Sequence, residues 1–262
     1  MKKIILLFVL CLVATLLLSQ STMRNPFGNP GCQSPGCVPN LQFWFSADCI
    51  TYTSSVCGTP SNGTSISSWA DHSGNSNNLS KTSGTCTYTA NQINGHPDVV
   101  FSSCILSLTN AIAAQCCHHL FAVIQLASTS TTVTLVGGTS HACEFTYDFP
   151  TSGGSYQLVN IQNASGGATG LHSPDLNWHQ VGFYYPNIGT AAPRIDRTSD
   201  TNTNPGGNCT GPITVIGEDP TPAFVFSGNI AEIIYYQDNA NDPVSAANIT
   251  VVETYLHTKY GL

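Results

Sequence analysis

Charge is what this chain has least of. Asp, Glu, Lys and Arg make up 8% of its 262 residues, against about 25% in an ordinary soluble domain. Basic side chains are the scarcer sign, seven against fourteen acidic ones. Two of the seven, Lys2 and Lys3, sit in the amino-terminal segment described below. With so few cations there is no basic patch to neutralise phosphates, which argues against nucleic acid and anionic membrane surfaces as partners. Glutamate is rarer still: Glu144, Glu218, Glu232 and Glu253 are the whole set. Long apolar runs are missing apart from Ile4 to Leu18, which is shorter than the roughly 20 residues that cross a bilayer. No repeat of solenoid or propeller period is visible, which removes those architectures.

The one apolar run has a specific context. Lys2 and Lys3 precede it and Ser19-Gln20-Ser21 follow it, the layout of a secretory signal over residues 1–21 with an uncleaved anchor as the alternative. The expected protein is therefore secreted, extracellular or on the cell surface, with no membrane insertion once the signal is removed. Residues 22–40 are rich in Pro and Gly, contain two cysteines and lack apolar periodicity, so they read as a stapled extension.

Cysteine is what such a chain would use in place of charge. Cys11 lies inside the apolar run without the small residues of a lipidation site. The other ten are Cys32, Cys37, Cys49, Cys57, Cys86, Cys104, Cys116, Cys117, Cys143 and Cys209. An even number behind an export signal reads as a disulfide framework. Spacing suggests Cys32–Cys37, Cys49–Cys57 and Cys86–Cys104, with Cys116 and Cys117 pairing to Cys143 and Cys209 in an open order. Asn-x-Ser/Thr sequons begin at Asn62, Asn78, Asn163, Asn208 and Asn248 and are candidate glycosylation sites.

From Leu41 onward, short apolar runs alternate with Gly, Asn, Ser and Pro, the rhythm of an all-β sandwich. Expected strands are Leu41–Ser46, Val99–Ser102, His119–Leu126, Thr132–Val136, Glu144–Asp148, Tyr156–Ile161, His179–Tyr185, Arg194–Arg197, Ile213–Ile216 and Gly228–Tyr236. The run Ile230–Tyr236 is apolar on both faces, as in a central strand. Asp242 and Pro243 offer a helix start. Val244, Ala247, Val251 and Tyr255 then form one stripe, with Ile249, Val252 and Leu256 beside it, ending at Gly261.

Four stretches carry a family resemblance. They are Leu41-Gln-Phe-Trp-Phe-Ser-Ala-Asp48, Ser68-Trp-Ala-Asp-His-Ser-Gly-Asn-Ser-Asn77, Asn94-Gly-His-Pro-Asp-Val-Val-Phe101, and Phe226–Tyr236 with the closing Tyr255-Leu-His-Thr-Lys-Tyr-Gly261. Together they resemble the laminin-G-like, concanavalin A-like jelly-roll domains of secreted bacterial proteins. The resemblance runs from residue 41 to 262 and implies one domain: a two-sheet antiparallel jelly-roll sandwich with one carboxyl-terminal helix. In that fold Trp44 and Trp69 are expected to pack between the sheets, and Asp71–Asn77 to form a side-chain-capped turn.

The same resemblance frames the chemistry. Related jelly rolls hold calcium with aspartates and loop carbonyls, which makes Asp48, Asp71, Asp219 and Asp238 candidate ligands, with turn capping as the competing role. Related glucanases carry Glu-x-Asp-x-x-Glu on one strand, and no glutamate here begins that pattern, so no catalytic residue is assigned. Gly138-Thr-Ser-His-Ala142 is followed by a strand rather than the helix a nucleophile elbow needs, and Cys116-Cys-His-His119 lacks structural zinc spacing. Trp178, Tyr184, Tyr185 and Phe224 are the aromatics available for sugar. The sequence thus leads us to expect a non-catalytic surface or appendage protein that adheres or self-assembles, its partners being itself or extracellular glycans, with a lectin-like module as the alternative and a glycan-degrading enzyme behind both. No cofactor beyond calcium is expected.

Overall fold

The computed structural model describes residues 32–53, 56–113, 118–139, 144–148, 157–161, 168–169, 175–185, 192–199, 211–219, 223–237 and 244–262. Sixteen strands and one helix follow a single 3-10 turn, Pro35–Cys37. The strands are β1 (Leu41–Ser46), β2 (Thr51–Thr53), β3 (Val56–Gly58), β4 (Ser68–Trp69), β5 (Leu79–Ile93), β6 (His96–Ile112), β7 (His118–Leu126) and β8 (Val133–Gly138). They continue with β9 (Glu144–Asp148), β10 (Gln157–Ile161), β11 (Ala168–Thr169), β12 (Trp178–Tyr185), β13 (Ala192–Ile195), β14 (Thr198–Ser199), β15 (Ile213–Ile216) and β16 (Gly228–Gln237), and the helix is α1 (Ala246–Tyr260).

Among the described residues, fourteen strands join in one antiparallel sheet, in the order β11-β10-β9-β8-β15-β6-β16-β7-β12-β13-β14, with β1 added to β16, β5 to β6 and β4 to β5. A sheet this long must curl, and the long β5–β6 hairpin shows how. Asn94 and Gly95 both have positive φ and close it as a two-residue turn. The first half of β6 pairs with β16 through Val99 to Phe101. The second half pairs instead with β15 through Leu106 to Ile112. Between the halves Ser103 has φ 49° and Gly84 opposite has φ 64°, and the β5–β6 register shifts on both sides of Ser83. A Cβ at Gly84 would fall on the Ser103 carbonyl, so only glycine fits that corner. The Cys86–Cys104 disulfide lies beside the bend, both cysteines fully buried.

Curling brings two layers face to face. The core between them joins Phe43 and Phe45 of β1, Trp69 of β4, Phe101 and Leu106 of β6, Leu120, Ala122 and Ile124 of β7, Phe145 of β9, Phe183 of β12 and Tyr235 of β16. This is an all-β sandwich with one carboxyl-terminal helix, as the strand rhythm indicates. Strand β16 is central, flanked by β6 and β1 on one side and β7 on the other, and every residue from Ile230 to Tyr236 is buried. Among the described residues, no helix is long and apolar enough to cross a membrane.

Two local expectations are corrected. Trp44 is not between the layers. Strand alternation that sends Phe43 and Phe45 inward turns Trp44 to the outer face, where it is half-buried while Trp69 is fully enclosed. The helix also begins later than Asp242. Its N-cap is Ser245, whose hydroxyl accepts the Asn248 N–H, and Asp242, Pro243 lie outside the described residues. Its buried side is Val252, Glu253, Leu256 and Tyr260; Val252 and Leu256 lie on the expected apolar side, Val251 and Tyr255 are half-buried beside them, and Ala247 is exposed. Glu253 is the unexpected member: it enters the interface paired with Arg194 of β13, Nη2 to Oε2 3.0 Å. Gly261, in the left-handed region, closes the helix.

Candidate functional site

The Asp71–Asn78 turn organises the surface beside β1. Asp71 is 4% exposed, and its carboxylate accepts four donors: the Trp44 and Ser73 N–H groups on Oδ1, and the Ser73 hydroxyl and Asn77 N–H on Oδ2. The turn then lies along the free edge of β1. His72 donates its N–H to the Trp44 carbonyl at 2.8 Å. Asn75 Nδ2 and Asn77 Nδ2 donate to the Gln42 carbonyl, and Ser73 Oγ lies 3.1 Å from the same oxygen.

At the Asn77 end this arrangement leaves an open cleft of about 400 Å³, lined by Asn40, Gln42, Asn77, Ala111, Ile112, Ala113 and Gln237. Ligand pockets commonly span ~300–1,000 Å³. Asn40 reaches the rim through a positive φ of 66° just before β1. Gln42 sits where the β1–β16 register shifts, and Ala111 to Ala113 end β6. The amides are held in place: Gln42 Nε2 donates to the Asn40 carbonyl, Gln237 Nε2 to the Ala113 carbonyl, and Asn110 Nδ2 to Asn77 Oδ1. Among the described residues, none that lines the cleft is ionisable. A side-chain amide offers two donors and an acceptor with two lone pairs, which suits a ligand whose groups both give and take hydrogen bonds. The wall is neutral, polar and paired.

Charged groups are gathered elsewhere, under α1. Glu232 of β16 has no exposed surface and accepts from Trp44 Nε1, Tyr255 OH, Lys259 Nζ and Tyr260 OH. Lys259 Nζ also reaches Asp48 Oδ2 at 2.8 Å, and Asp48 meets His96 Nδ1 at 3.0 Å. Burial works to raise the Asp48 pKa, but the Lys259 ammonium and His96 outweigh it and leave the group below its ordinary value. Burial first, then the Glu232 charge, pushes the Tyr255 and Tyr260 phenols upward, so both remain donors. All four acceptor positions of Glu232 are taken. This constellation anchors the helix, with Asp48 and His96 at its half-exposed rim.

The expected calcium ligands are not brought together. Asp48 faces Lys259, Asp71 is filled by four donors, and Asp219 accepts the Ala223 and Phe224 N–H groups. Asp238 lies outside the described residues. Each described aspartate caps or pairs locally, so these residues do not fit a calcium cradle. Among the described residues the one cluster of metal-ligand type is Cys49, Cys57 and His72, and its two sulfurs form a disulfide. Cys32 and Cys37 are disulfide-bonded as well; Cys116, Cys117, Cys143 and Cys209 lie outside the described residues. Of the sequons, Asn62 and Asn78 are exposed and Asn248 is half-buried in the first turn of α1, while Asn163 and Asn208 fall outside. Trp178 is half-buried and Phe224 is 40% exposed; the side chains of Tyr184 and Tyr185 are not among those described. Neither Trp178 nor Phe224 lines the cleft.

No protein-family model matches the chain, and no curated protein does. Solved structures do match. Domain 4 of AbnA, a GH43 extracellular arabinanase from Geobacillus stearothermophilus in complex with arabinotriose, aligns with a TM-score of 0.54 and 15% identity, over 80% of this chain and 97% of that one. A GH54 α-L-arabinofuranosidase aligns with a TM-score of 0.55 and 14% identity over 75% of this chain. The likeness takes in 51% of the arabinofuranosidase, about half its length. The receptor-binding domain of botulinum neurotoxin D aligns with a TM-score of 0.50 and 11% identity, over 81% of this chain and 52% of that one. At these identities the likeness is one of fold, and it supports a jelly-roll-type sandwich. It also corrects the expectation that the chain is not an enzyme. Chains sharing the fold include an arabinanase domain and an arabinofuranosidase, so the missing Glu-x-Asp-x-x-Glu pattern is no ground for excluding catalysis.

Proposed function

We propose that this chain is an extracellular glycan-binding protein that recognises neutral sugar chains at the amide-lined cleft beside β1. The observation that carries the reading is the wall itself: Asn40, Gln42, Asn77 and Gln237 supply paired donors and acceptors, with no ionisable group among the described lining residues. Sugar hydroxyls need that pairing, since each both donates and accepts. A neutral wall also disfavours sulfated or uronic ligands, which would meet no cation to compensate their charge. The arabinotriose complex of the AbnA domain favours sugar as the ligand class, and the disulfides suit an oxidising compartment.

The self-assembly reading ranks below this one. Among the described residues the large exposed apolar side chains are Tyr52, Val56, Leu176 and Phe224. They are divided among three segments, the β2–β3 hairpin, the turn before β12 and the loop before β16, and are few for a self-assembly interface.

A glycan array followed by titration with soluble polysaccharides tests the proposal. Binding to neutral chains is expected to be indifferent to salt between about 0.05 and 0.5 M, because no exposed charge pair is being screened. Gln42→Ala and Asn110→Ala are each expected to weaken it about fivefold, near the 1 kcal/mol of a typical hydrogen bond. Silence across the array, or binding that survives both substitutions unchanged, overturns the cleft as the site.

A further inference from the structure

The β2–β3 hairpin contributes nothing to the core, yet it is fixed covalently. It forms its own two-stranded sheet, and its residues are exposed apart from half-buried Gly58. An isolated hairpin is marginal in water, and here the Cys49–Cys57 disulfide holds it. Its apolar surface is Tyr52, 45% exposed, opposite Cys57 in the ladder, together with Val56.

Tyr52 begins a row of rings. Its centroid lies 5.2 Å from that of His72, and His72 lies 5.8 Å from Trp44. Tyr255 meets the far side of Trp44 edge-on at 5.9 Å. Two of these rings, His72 and Trp44, are pinned by hydrogen bonds. His72 Nε2 sits 2.8 Å from the Cys49 carbonyl, which makes it the protonated nitrogen, and Trp44 Nε1 donates to Glu232. His72 and Trp44 are half-buried, so the row opens to solvent with Tyr52 most prominent. The Asp71–Asn78 turn joins it to the cleft. His72 and Asn77 are two ends of the turn that lies along β1, with Ser73 and Asn75 against Gln42 between them.

We infer that Tyr52, His72 and Trp44 form a stacking platform that extends the amide cleft, so that the chain takes a neutral oligosaccharide long enough to cover both. The inference rests on the glycan reading of the cleft and deepens it. A sugar ring presents hydroxyls at its rim and C–H groups on its faces; the cleft amides answer the first and aromatic rings the second. Rings fixed before binding lose little freedom on contact, which is the condition for a surface this open to hold a ligand.

The test is calorimetric titration of the full chain with arabinose- and xylose-based neutral oligosaccharides, from the trisaccharide upward. Wild-type affinity is expected to rise with chain length. Tyr52→Ala removes that rise, about tenfold at the longest chain, the equivalent of 1.4 kcal/mol, while trisaccharide affinity and melting temperature stay unchanged. Tyr52→Phe keeps the rise, because the ring face is retained. Gln42→Ala weakens every length alike. A wild-type affinity that does not depend on length, or Tyr52→Ala matching wild type at the longest chain, overturns the platform and leaves the cleft standing. No binding by wild type at any length overturns the cleft reading, and the platform with it.

Discussion

Lys259 Nζ lies 2.7 Å from Glu232 Oε2, and the carboxylate it neutralises has no exposed surface. In a chain with so few cations, one of them secures the last helix to the central strand. Lys259 is in the last turn of α1, where a cation also answers the partial negative charge of the helix end. Arg194 and Glu253 tie the same helix to β13.

Removing the lysine should cost far more than a surface ion pair. Lys259→Met leaves the enclosed Glu232 carboxylate without its cation, and breaking a buried pair from one side typically costs about 3–5 kcal/mol. Glu232→Gln should cost less, because Lys259 retains Asp48 at 2.8 Å. Urea denaturation of the two variants measures both losses, and equal losses would contradict a role for Asp48 as the second partner.

How much of this was legible beforehand depends on what each residue's neighbours are. The runs of β1, β9 and β15 coincide with segments marked by apolar alternation, because each carries its own inward-facing side chains. Strand β5 was invisible. Leu79–Ile93 is mostly Ser, Thr, Asn and Gly, and much of it is exposed, so its structure comes from pairing along β6 and not from local pattern. The cleft was illegible for a related reason. Gln42 and Asn77 are 35 positions apart and Gln237 is farther still, and polar amides in a chain rich in them carry no signal until the register brings them together. Asn77 could be read as a turn residue, and the turn is what delivers it. On α1 the apolar pattern marks Val252 and Leu256, whereas Glu253 looks like a solvent residue until Arg194 is placed opposite.

His179 gives a pH-dependent prediction at the sheet edge. Its ring lies between two carboxylates, Nδ1 2.8 Å from Asp196 Oδ2 and Nε2 2.9 Å from Asp175 Oδ1. The Asp196 hydrogen bond leads in raising its pKa to about 8, burial opposes, and Asp175 adds to the rise. Asp196 and Arg197 form the positive-φ turn between β13 and β14, so the contact holds that hairpin against β12. A folded pKa above the unfolded value of about 6.5 means stability that is complete below that value and lost as pH rises through 8. His179→Gln should therefore lower the melting temperature at about pH 6 and match wild type at about pH 9. Both carboxylates are well exposed, so the loss should be about 1 kcal/mol or less.

Asp98 should titrate with the opposite consequence. It lies on β6 with no exposed surface, and burial pushes its pKa up to about 7 against the weaker pulls of Thr89 opposite and its own backbone N–H. Unfolded, the same carboxyl ionises near 3.9. Between those values the folded chain holds a proton that the unfolded chain has released, so rising pH favours unfolding and stability falls from about 4 to 7. Asp98→Asn keeps the shape and cannot ionise. Its melting temperature should equal that of wild type at about pH 4 and exceed it at about pH 8, a gap that scanning calorimetry across that range would trace. A variant that is less stable than wild type at the alkaline end would mean that the ionised carboxylate is compensated in the folded chain and that burial does not govern this group.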